Sequence, residues 1–401
     1  PNLDRDAALA LAERAVRTEL EADPGKLRLV GAEQMQQPAR RDWSFEFADP
    51  AVKIGEGGEA RLQVVIAGDQ VANAGRYVFI PESWMRTQRE RQSQFTFLKL
   101  ALAALAGVLL VAGLVFAATQ WMRRRFDRRA LFAVAAISFT LAALALANNY
   151  PQAAMSFRTS EPIAAQAGLG IVGGLIAAVF GALVIGLVSA IGAWAATRLP
   201  RHDFAGRWPP WLAGACAALM VAGFEASLSA LAPRMAPIWP TYALAGQAVP
   251  LLGAVLSGAS ALSVIGVGLF VLAALDRVTQ GWQKHLWLAG GVLVLSLTAT
   301  ALVGSARPVA ALISGAITGA AAVVIVYGVL RFDLRSVPAY IVTGMLLALA
   351  ESAAHNGSAR DIVHGALAAA TAIGIAVLVT RYIDRGASEA LAAHDAAGAI
   401  R

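Results

Sequence analysis

Ionisable side chains are sparse in the apolar part of this chain, and the few that occur there are the first candidates for chemistry. Glu225 lies in the apolar stretch WLAGACAALMVAGFEASLSAL, roughly 6 Å from its middle at about 1.5 Å per helical residue. A carboxylate is costly in hydrocarbon, so Glu225 is a candidate for proton binding, cation binding or catalysis. The alternative is a structural role, in which a protonated or hydrogen-bonded Glu225 holds a neighbouring helix through Ser227 or another polar group.

A second group of ionisable residues lies between two apolar segments near the C-terminus. Glu351 and His355 are four residues apart, and Asp361 and His364 are three apart, so each pair shares a helical face. Carboxylates and imidazoles of this kind bind Zn²⁺ and similar cations. Hairpin loops at a membrane surface are polar in any case, so the sequence predicts no metal and no cofactor. These four residues are the candidates if a metal binds.

The composition indicates the class of protein that carries these residues. Of 401 residues, 58% are hydrophobic and only 15% are charged, whereas ordinary globular domains are about 25% charged. A water-soluble protein could not bury so much apolar surface, which indicates a multi-span membrane protein. Cys216 is the single cysteine, which excludes an internal disulfide. The net charge of +7 comes from arginines spread over several loops, so no nucleic-acid partner is expected.

Residues 1–95 have the pattern of a small α+β domain. A helix is predicted from Asp4 to Glu21, with Asp4 or Asp6 as its cap. Alternating apolar residues predict strands at 42–48, 61–67 and 76–80, and a fourth strand at 27–30 is compatible with the pattern. Turn signals at Asp49-Pro50, 55–58 and Gly68-Asp69 separate the strands. This part of the sequence has no His and no Cys, so we expect a binding or regulatory module.

Residues 96–385 are predicted to form a polytopic transmembrane helical bundle, which makes the fold class mostly α. A helix needs about 18 apolar residues or more to cross roughly 30 Å of hydrocarbon. Nine windows meet this condition, at 97–120, 130–148, 166–197, 210–231, 249–275, 286–305, 309–330, 337–351 with its flanks, and 362–380. Gly170-x-x-x-Gly174 and Gly315-x-x-x-Gly319 predict close helix contacts. Residues 386–401 are predicted to be a disordered tail.

The basic residues between these windows predict the orientation of the chain. One set of loops carries fourteen Arg and Lys residues and the alternate set carries four. Since basic loops stay inside, the N-terminal domain is predicted to be extracytoplasmic and the C-terminal tail cytoplasmic, in a bacterial inner membrane. An exported domain ahead of nine spans needs an export signal. We therefore expect a signal peptide or a further span upstream of Pro1.

The order of these features resembles the long bacterial members of the CPBP group, the CAAX-processing and bacteriocin-processing intramembrane proteases. Three short sequences contribute to the resemblance: IPESW at 80–84, ALS at 261–263 and RFDLRSVPAY at 331–340. The resemblance implies an eight-helix core that follows a small external domain. It also implies a Glu-Glu-x-x-x-Arg motif and later His residues, which in that family activate water for peptide hydrolysis.

The catalytic positions implied by the resemblance hold apolar residues in this chain. Aligned on the ALS sequence, the two Glu positions fall on Val264 and Ile265, and the Arg position falls on Leu269. The late His position falls near Ile341, and the Asn or Asp position on Met345. A hydrocarbon side chain cannot act as a general base. We therefore expect a pseudoprotease that acts as a scaffold or regulator of a membrane-protein partner in the lipid bilayer.

Two other functions are left open by the sequence. An active intramembrane endopeptidase would use displaced catalytic residues, for which Glu225, Glu351 and His355 are the candidates. A transporter or permease subunit would need polar groups at mid-depth of its spans, and the sequence has few of them.

Overall fold

The computed structural model describes residues 2–38, 40–55, 57–93, 96–198, 209–231, 246–302 and 308–398. The chain divides into two compact units. The first comprises Pro1–Phe97 with Arg158–Ile163, and the second comprises Leu98–Phe157 with Ala164–Arg401. The sequence places the boundary near residue 95 but does not indicate that residues 158–163 belong with the N-terminal domain.

The first unit is one helix on a four-stranded antiparallel sheet. Helix α1 (Arg5–Thr18) begins at Asp4, whose Oδ1 accepts a hydrogen bond from the Ala7 N–H at 2.8 Å. The strands β1 (Arg28–Gln36), β2 (Arg41–Lys53), β3 (Glu59–Ala67) and β4 (Gln70–Phe79) pair in chain order. The predicted alternation is confirmed, because α1 covers the alternate apolar residues Trp43, Phe45, Phe47, Leu62, Val64 and Ile66.

One predicted turn in this unit is wrong. Asp49-Pro50 lies within β2 and does not end it. The pairing of β2 with β3 is interrupted between Ala48 and Lys53, so the ladder requires no N–H from Pro50. After β4, the polar residues that lead to the first apolar helix form α2 (Glu82–Ser93).

The second unit is a bundle of apolar helices. Eight helices in the described part of the chain are long and apolar enough to cross a membrane. They lie in α3 (Thr96–Met122), α4 (Arg128–Asn148), α6 (Ile163–Arg198), α7 (Pro210–Leu231), α8 with α9 (Pro250–Ala259 and Ala261–Val278), α11 with the π-helical turn that follows it (Pro308–Ile325 and Val326–Leu330), α12 (Ser336–Asn356) and α13 (Ala359–Gly398). The short helix α5 (Tyr150–Ala154) follows α4.

The predicted sixth span is shorter than the others. It forms α10 (Leu286–Leu302), an apolar helix of 17 residues in the described part of the chain, about 25 Å long at 1.5 Å per residue. The predicted eighth span is longer than its apolar window. Pro338 does not interrupt α12 because it lies in the first turn, where a helix has no backbone partner for an N–H group.

The C-terminal tail differs from the prediction of disorder after residue 385. Helix α13 continues to Gly398, and Ala387 is buried at 3% exposure. The segment GASEALAAHDAAG is rich in Ala and contains Leu and Glu, which favour helix, and it has no Pro to end the helix. The low hydropathy of this segment therefore does not indicate that the chain is unfolded here.

Glycines set the closest helix contacts in the bundle. A Cβ atom on Gly315 or Gly319 of α11 would lie 2.7 Å from the Cα of Thr298 or Val294 of α10, respectively. The contact predicted from the Gly315 motif is therefore confirmed. A Cβ on Gly174 would lie 2.8 Å from Leu146 Cδ1 of α4, a side-chain atom, whereas a Cβ on Gly170 would meet no atom of the described residues within 4 Å.

Candidate functional site

The intramembrane carboxylate Glu225 lies on an exposed position of α7. It forms no hydrogen bond or ion pair with the described residues. Its carboxylate interacts electrostatically with the Tyr340 phenol of α12. Ser227, the partner considered from the sequence, donates instead to the Gly223 carbonyl of its own helix at 2.8 Å. The described contacts of Glu225 therefore include neither a base nor a second carboxylate with which it could share a proton.

Two of the four candidate metal ligands near the C-terminus, His355 and Asp361, bond to groups of their own helix ends. His355 Nδ1 lies 2.8 Å from the main-chain oxygen of Glu351, one turn earlier on α12. Asp361 Oδ2 accepts a hydrogen bond from the Ser358 hydroxyl at 2.7 Å, and the Asp361 N–H donates to Ser358 Oγ at 3.1 Å. The bond from the Asp361 N–H to Ser358 Oγ is an N-cap at the start of α13, and the Asp361 carboxylate holds the capping hydroxyl.

His364 is the member of that group that lies inside the protein. Its side chain is 6% exposed, and its Nδ1 has no hydrogen-bond partner among the described residues. Across the ranges that the structure describes, no group of three or more His, Cys, Asp or Glu residues is placed to hold a metal ion. The structure therefore does not bring Glu351, His355, Asp361 and His364 together as one metal site.

The positions that the resemblance assigns to catalysis lie between α9 and α12. Ile265 and Leu269 of α9 are only 1% and 2% exposed, and both belong to the main apolar core of the bundle. Ile341 and Met345 of α12 pack against the same core. Val264 is 46% exposed and lies outside this core. Four of the five positions therefore contribute to one apolar core, and their side chains are hydrocarbon or thioether.

Glycines allow close contacts of α9 with α6 and with α12 around these positions. A Cβ on Gly268 of α9 would lie 2.8 Å from Ile341 Cδ1, and one on Gly192 of α6 would lie 2.7 Å from Leu269 Cβ. A Cβ on Gly266 would lie only 2.0 Å from the hydroxyl oxygen of Ser189 on α6. Helices α6, α9 and α12 are thus in close contact where the resemblance implies acids and imidazoles.

Ser189 is a buried hydroxyl at this contact that the sequence did not single out. It is 6% exposed, and its Oγ has no hydrogen-bond partner within the described ranges. A serine becomes a nucleophile through an adjacent base, and the described residues supply no such hydrogen bond. The only signal in the sequence is a Ser inside an apolar helix, which commonly has no chemical role.

The N-terminal domain has a charged network on the sheet face opposite α1. Arg61 lies 2.9 Å from Glu46 and 2.8 Å from Glu59, and its guanidinium carbon lies 3.6 Å from the centre of the Phe79 ring. Burial raises the pKa of the Tyr77 phenol, and the hydrogen bond with Glu46 raises it further. Because these charged groups pair with one another, they stabilise the surface of the sheet and leave no free group for catalysis in this network.

A second network, which the sequence did not reveal, joins loops at one end of the bundle. Arg335 Nε lies 2.9 Å from Asp333 Oδ1, and Arg335 Nη1 lies 3.6 Å from Asp384 of α13. The hydrogen bond with Asp333 raises the pKa of Arg335 above its ordinary value, against the opposing effect of burial. The Tyr382 hydroxyl donates to Asp127 Oδ2 at 2.6 Å. Helix α13 is therefore fixed to the α3–α4 turn and to the segment before α12.

The loop between α9 and α10 has an unusual backbone. Gln280, Trp282 and His285 have φ angles of +52°, +61° and +57°, a region that costs residues other than Gly about 1–3 kcal/mol each. Thr279 is fully buried, and its hydroxyl oxygen accepts from the Trp282 N–H at 3.1 Å. The Trp282 ring packs edge-on against Tyr327 at 5.8 Å. Tertiary contacts therefore hold this loop in one conformation.

No protein-family model, curated protein or solved structure matches the chain. The resemblance to the CPBP group therefore rests on the residues quoted above and on the order of the elements. The structure itself shows a small α+β domain followed by a multi-pass bundle of membrane helices.

Proposed function

We propose that this protein is a catalytically inactive relative of the CPBP intramembrane proteases that acts as a scaffold or regulator of a membrane-protein partner. The observation that carries the proposal is the apolar packing of Ile265 and Leu269 against α12. Hydrolysis inside a bilayer needs ionisable groups that reach a water molecule. At these positions the chain instead has apolar side chains that pack between helices, and such packing stabilises a rigid bundle.

The activity assay uses the full-length protein in lipid vesicles with a transmembrane reporter peptide. We expect no cleavage by the wild-type protein, and no change in Glu225→Gln or Glu351→Gln. Cleavage by the wild type that either substitution abolishes would establish the alternative, an active endopeptidase with displaced residues. Ion-dependent flux into the same vesicles would support a transporter instead. Crosslinking in intact cells should yield one stoichiometric membrane-protein partner if the scaffold proposal is right.

We also propose that the N-terminal domain is extracytoplasmic and the C-terminal end cytoplasmic, in a bacterial inner membrane. The excess of basic residues in one set of loops supports this orientation. Residues 158–163 belong to the same unit as the N-terminal domain, and Arg40 donates to the Thr159 hydroxyl at 2.6 Å. The loop after α4 is one of the weakly charged loops, so it and the domain belong on the same outer side.

Single cysteines in a Cys216→Ala background test this orientation. A membrane-impermeant maleimide should label Gln37→Cys in intact cells, because the N-terminal domain faces out. Lys284→Cys and Ser388→Cys should react only after the membrane is opened. Labelling of Ser388→Cys in intact cells, with protection of Gln37→Cys, would show the opposite orientation.

A further inference from the structure

A group of arginines collects where the α3–α4 turn meets the end of α6. The turn docks on α6 because the Asp127 N–H donates to the Ala190 carbonyl at 3.1 Å. Helix α13 adds Arg381 and Arg385 near the same turn, since Tyr382 bonds to Asp127. The group consists of Arg123, Arg124, Arg125, Arg128, Arg129 and Arg198.

The nearby Asp127 and Asp384 form no ion pair with these arginines. Asp127 Oδ1 accepts from the N–H groups of Arg129 and Ala130, at 2.8 and 3.2 Å, and its Oδ2 accepts from Tyr382. Asp384 is paired with Arg335. None of the six arginines forms an ion pair with a carboxylate in the described part of the chain. The group therefore presents an excess of positive charge.

Two of these arginines share one indole ring. The guanidinium carbons of Arg125 and Arg198 lie 5.8 and 5.0 Å from the centre of the Trp194 ring. Contact with an aromatic ring holds a guanidinium in place without using its N–H donors. Trp121 stacks on Phe126 beside them at 4.6 Å, and Trp121 is 50% exposed.

The geometry points to a binding site for the phosphate of an anionic phospholipid, formed by Arg125 and Arg198 at Trp194. Guanidinium groups bind phosphate oxygens through paired N–H donors. Arg198 ends the apolar helix α6 and Arg125 lies in the turn between α3 and α4, at the level where Trp and Arg side chains reach the headgroups. A phospholipid fits this place better than a soluble phosphate because its acyl chains can lie along α3 and α6. This inference does not depend on the proposed function, since an active or inactive bundle could hold the lipid.

The test compares two double variants of equal charge in the full-length protein. Native mass spectrometry and thermal melting measure the binding of phosphatidylglycerol to protein in phosphatidylcholine discs with the same acyl chains. Arg125→Gln/Arg198→Gln is expected to weaken phosphatidylglycerol binding about tenfold, because two charge-assisted contacts are lost. The control Arg123→Gln/Arg124→Gln removes the same charge from the same turn but not from Trp194. It should weaken binding by less than about twofold.

Several outcomes would overturn the site. An equal loss of phosphatidylglycerol binding in both double variants would show diffuse attraction to the membrane surface. Binding of phosphatidylcholine as tight as that of phosphatidylglycerol would show that the site does not select an anionic headgroup. Competition by millimolar inorganic phosphate would identify a soluble ligand. A second readout covers the case in which the Arg variant does not fold. Phosphatidylglycerol spin-labelled at the headgroup should quench wild-type Trp fluorescence more than the labelled phosphatidylcholine does. That difference should shrink in Trp194→Phe, and an unchanged difference would contradict the site.

Discussion

Gly214→Val is expected to lower the yield of folded full-length protein in the membrane at least tenfold. A Cβ atom at residue 214 would lie 2.1 Å from the Ser336 carbonyl oxygen and 3.0 Å from the Tyr340 nitrogen. Both are backbone atoms of α12, so no side-chain rotation relieves the clash, and α7 must move away from α12. Overpacking typically costs about 1–3 kcal/mol, and more where the clash is with backbone. Each 1.4 kcal/mol changes the folding equilibrium constant about tenfold.

Gly223→Val is the matched control for this experiment. Gly223 lies on the same helix, and a Cβ there would meet no atom of the described residues within 4 Å. Its substitution should leave the yield and the melting temperature nearly unchanged. Size-exclusion profiles of detergent extracts and thermal melts of the two variants provide the comparison. Similar behaviour of the two variants would contradict the close packing of α7 on α12.

Much of the fold could be predicted from local patterns. The alternation of Trp43, Phe45 and Phe47 with polar residues identified β2 and its buried face, and Asp4, one of the two candidate caps, starts α1. Asp49-Pro50 misled because the pairing of the neighbouring strand decides whether a Pro ends a strand. The C-terminal segment misled for a similar reason. Its polar composition resembles a disordered tail, but its helix propensity and the burial of Ala387 continue α13.

Less of the candidate site could be predicted from the sequence. The sequence showed that the implied catalytic positions are apolar, but not that Gly266 would place α9 against Ser189. Such contacts join residues far apart in the chain, and one sequence carries no signal for them. The same is true of Arg125 and Arg198 at Trp194. In the sequence these arginines contribute only to the charge bias, which predicts orientation and says nothing about a common binding partner.

Ile265→Ala is expected to destabilise the bundle by about 2–5 kcal/mol, the range for removing a buried aliphatic side chain from a packed core. Ile265 is 1% exposed, and its neighbours are held by the glycine contacts of α9, so they cannot collapse into the space. Membrane helices associate through van der Waals packing and not through exclusion of water. The lost contacts therefore determine the cost. Thermal melting or denaturant unfolding of the full-length protein in detergent measures the effect.

Comparison with Val264→Ala, at the adjacent position, shows whether this region is a packed core or a water-filled cavity. Val264 is 46% exposed and lies outside the core, so its truncation should cost less than about 1 kcal/mol. An active hydrolase would hold water and ionisable groups at both of the aligned positions. Truncating Ile265 would then remove few protein contacts and cost no more than truncating Val264. Equal stability of the two variants would therefore contradict the packed core, and with it the main support for an inactive scaffold.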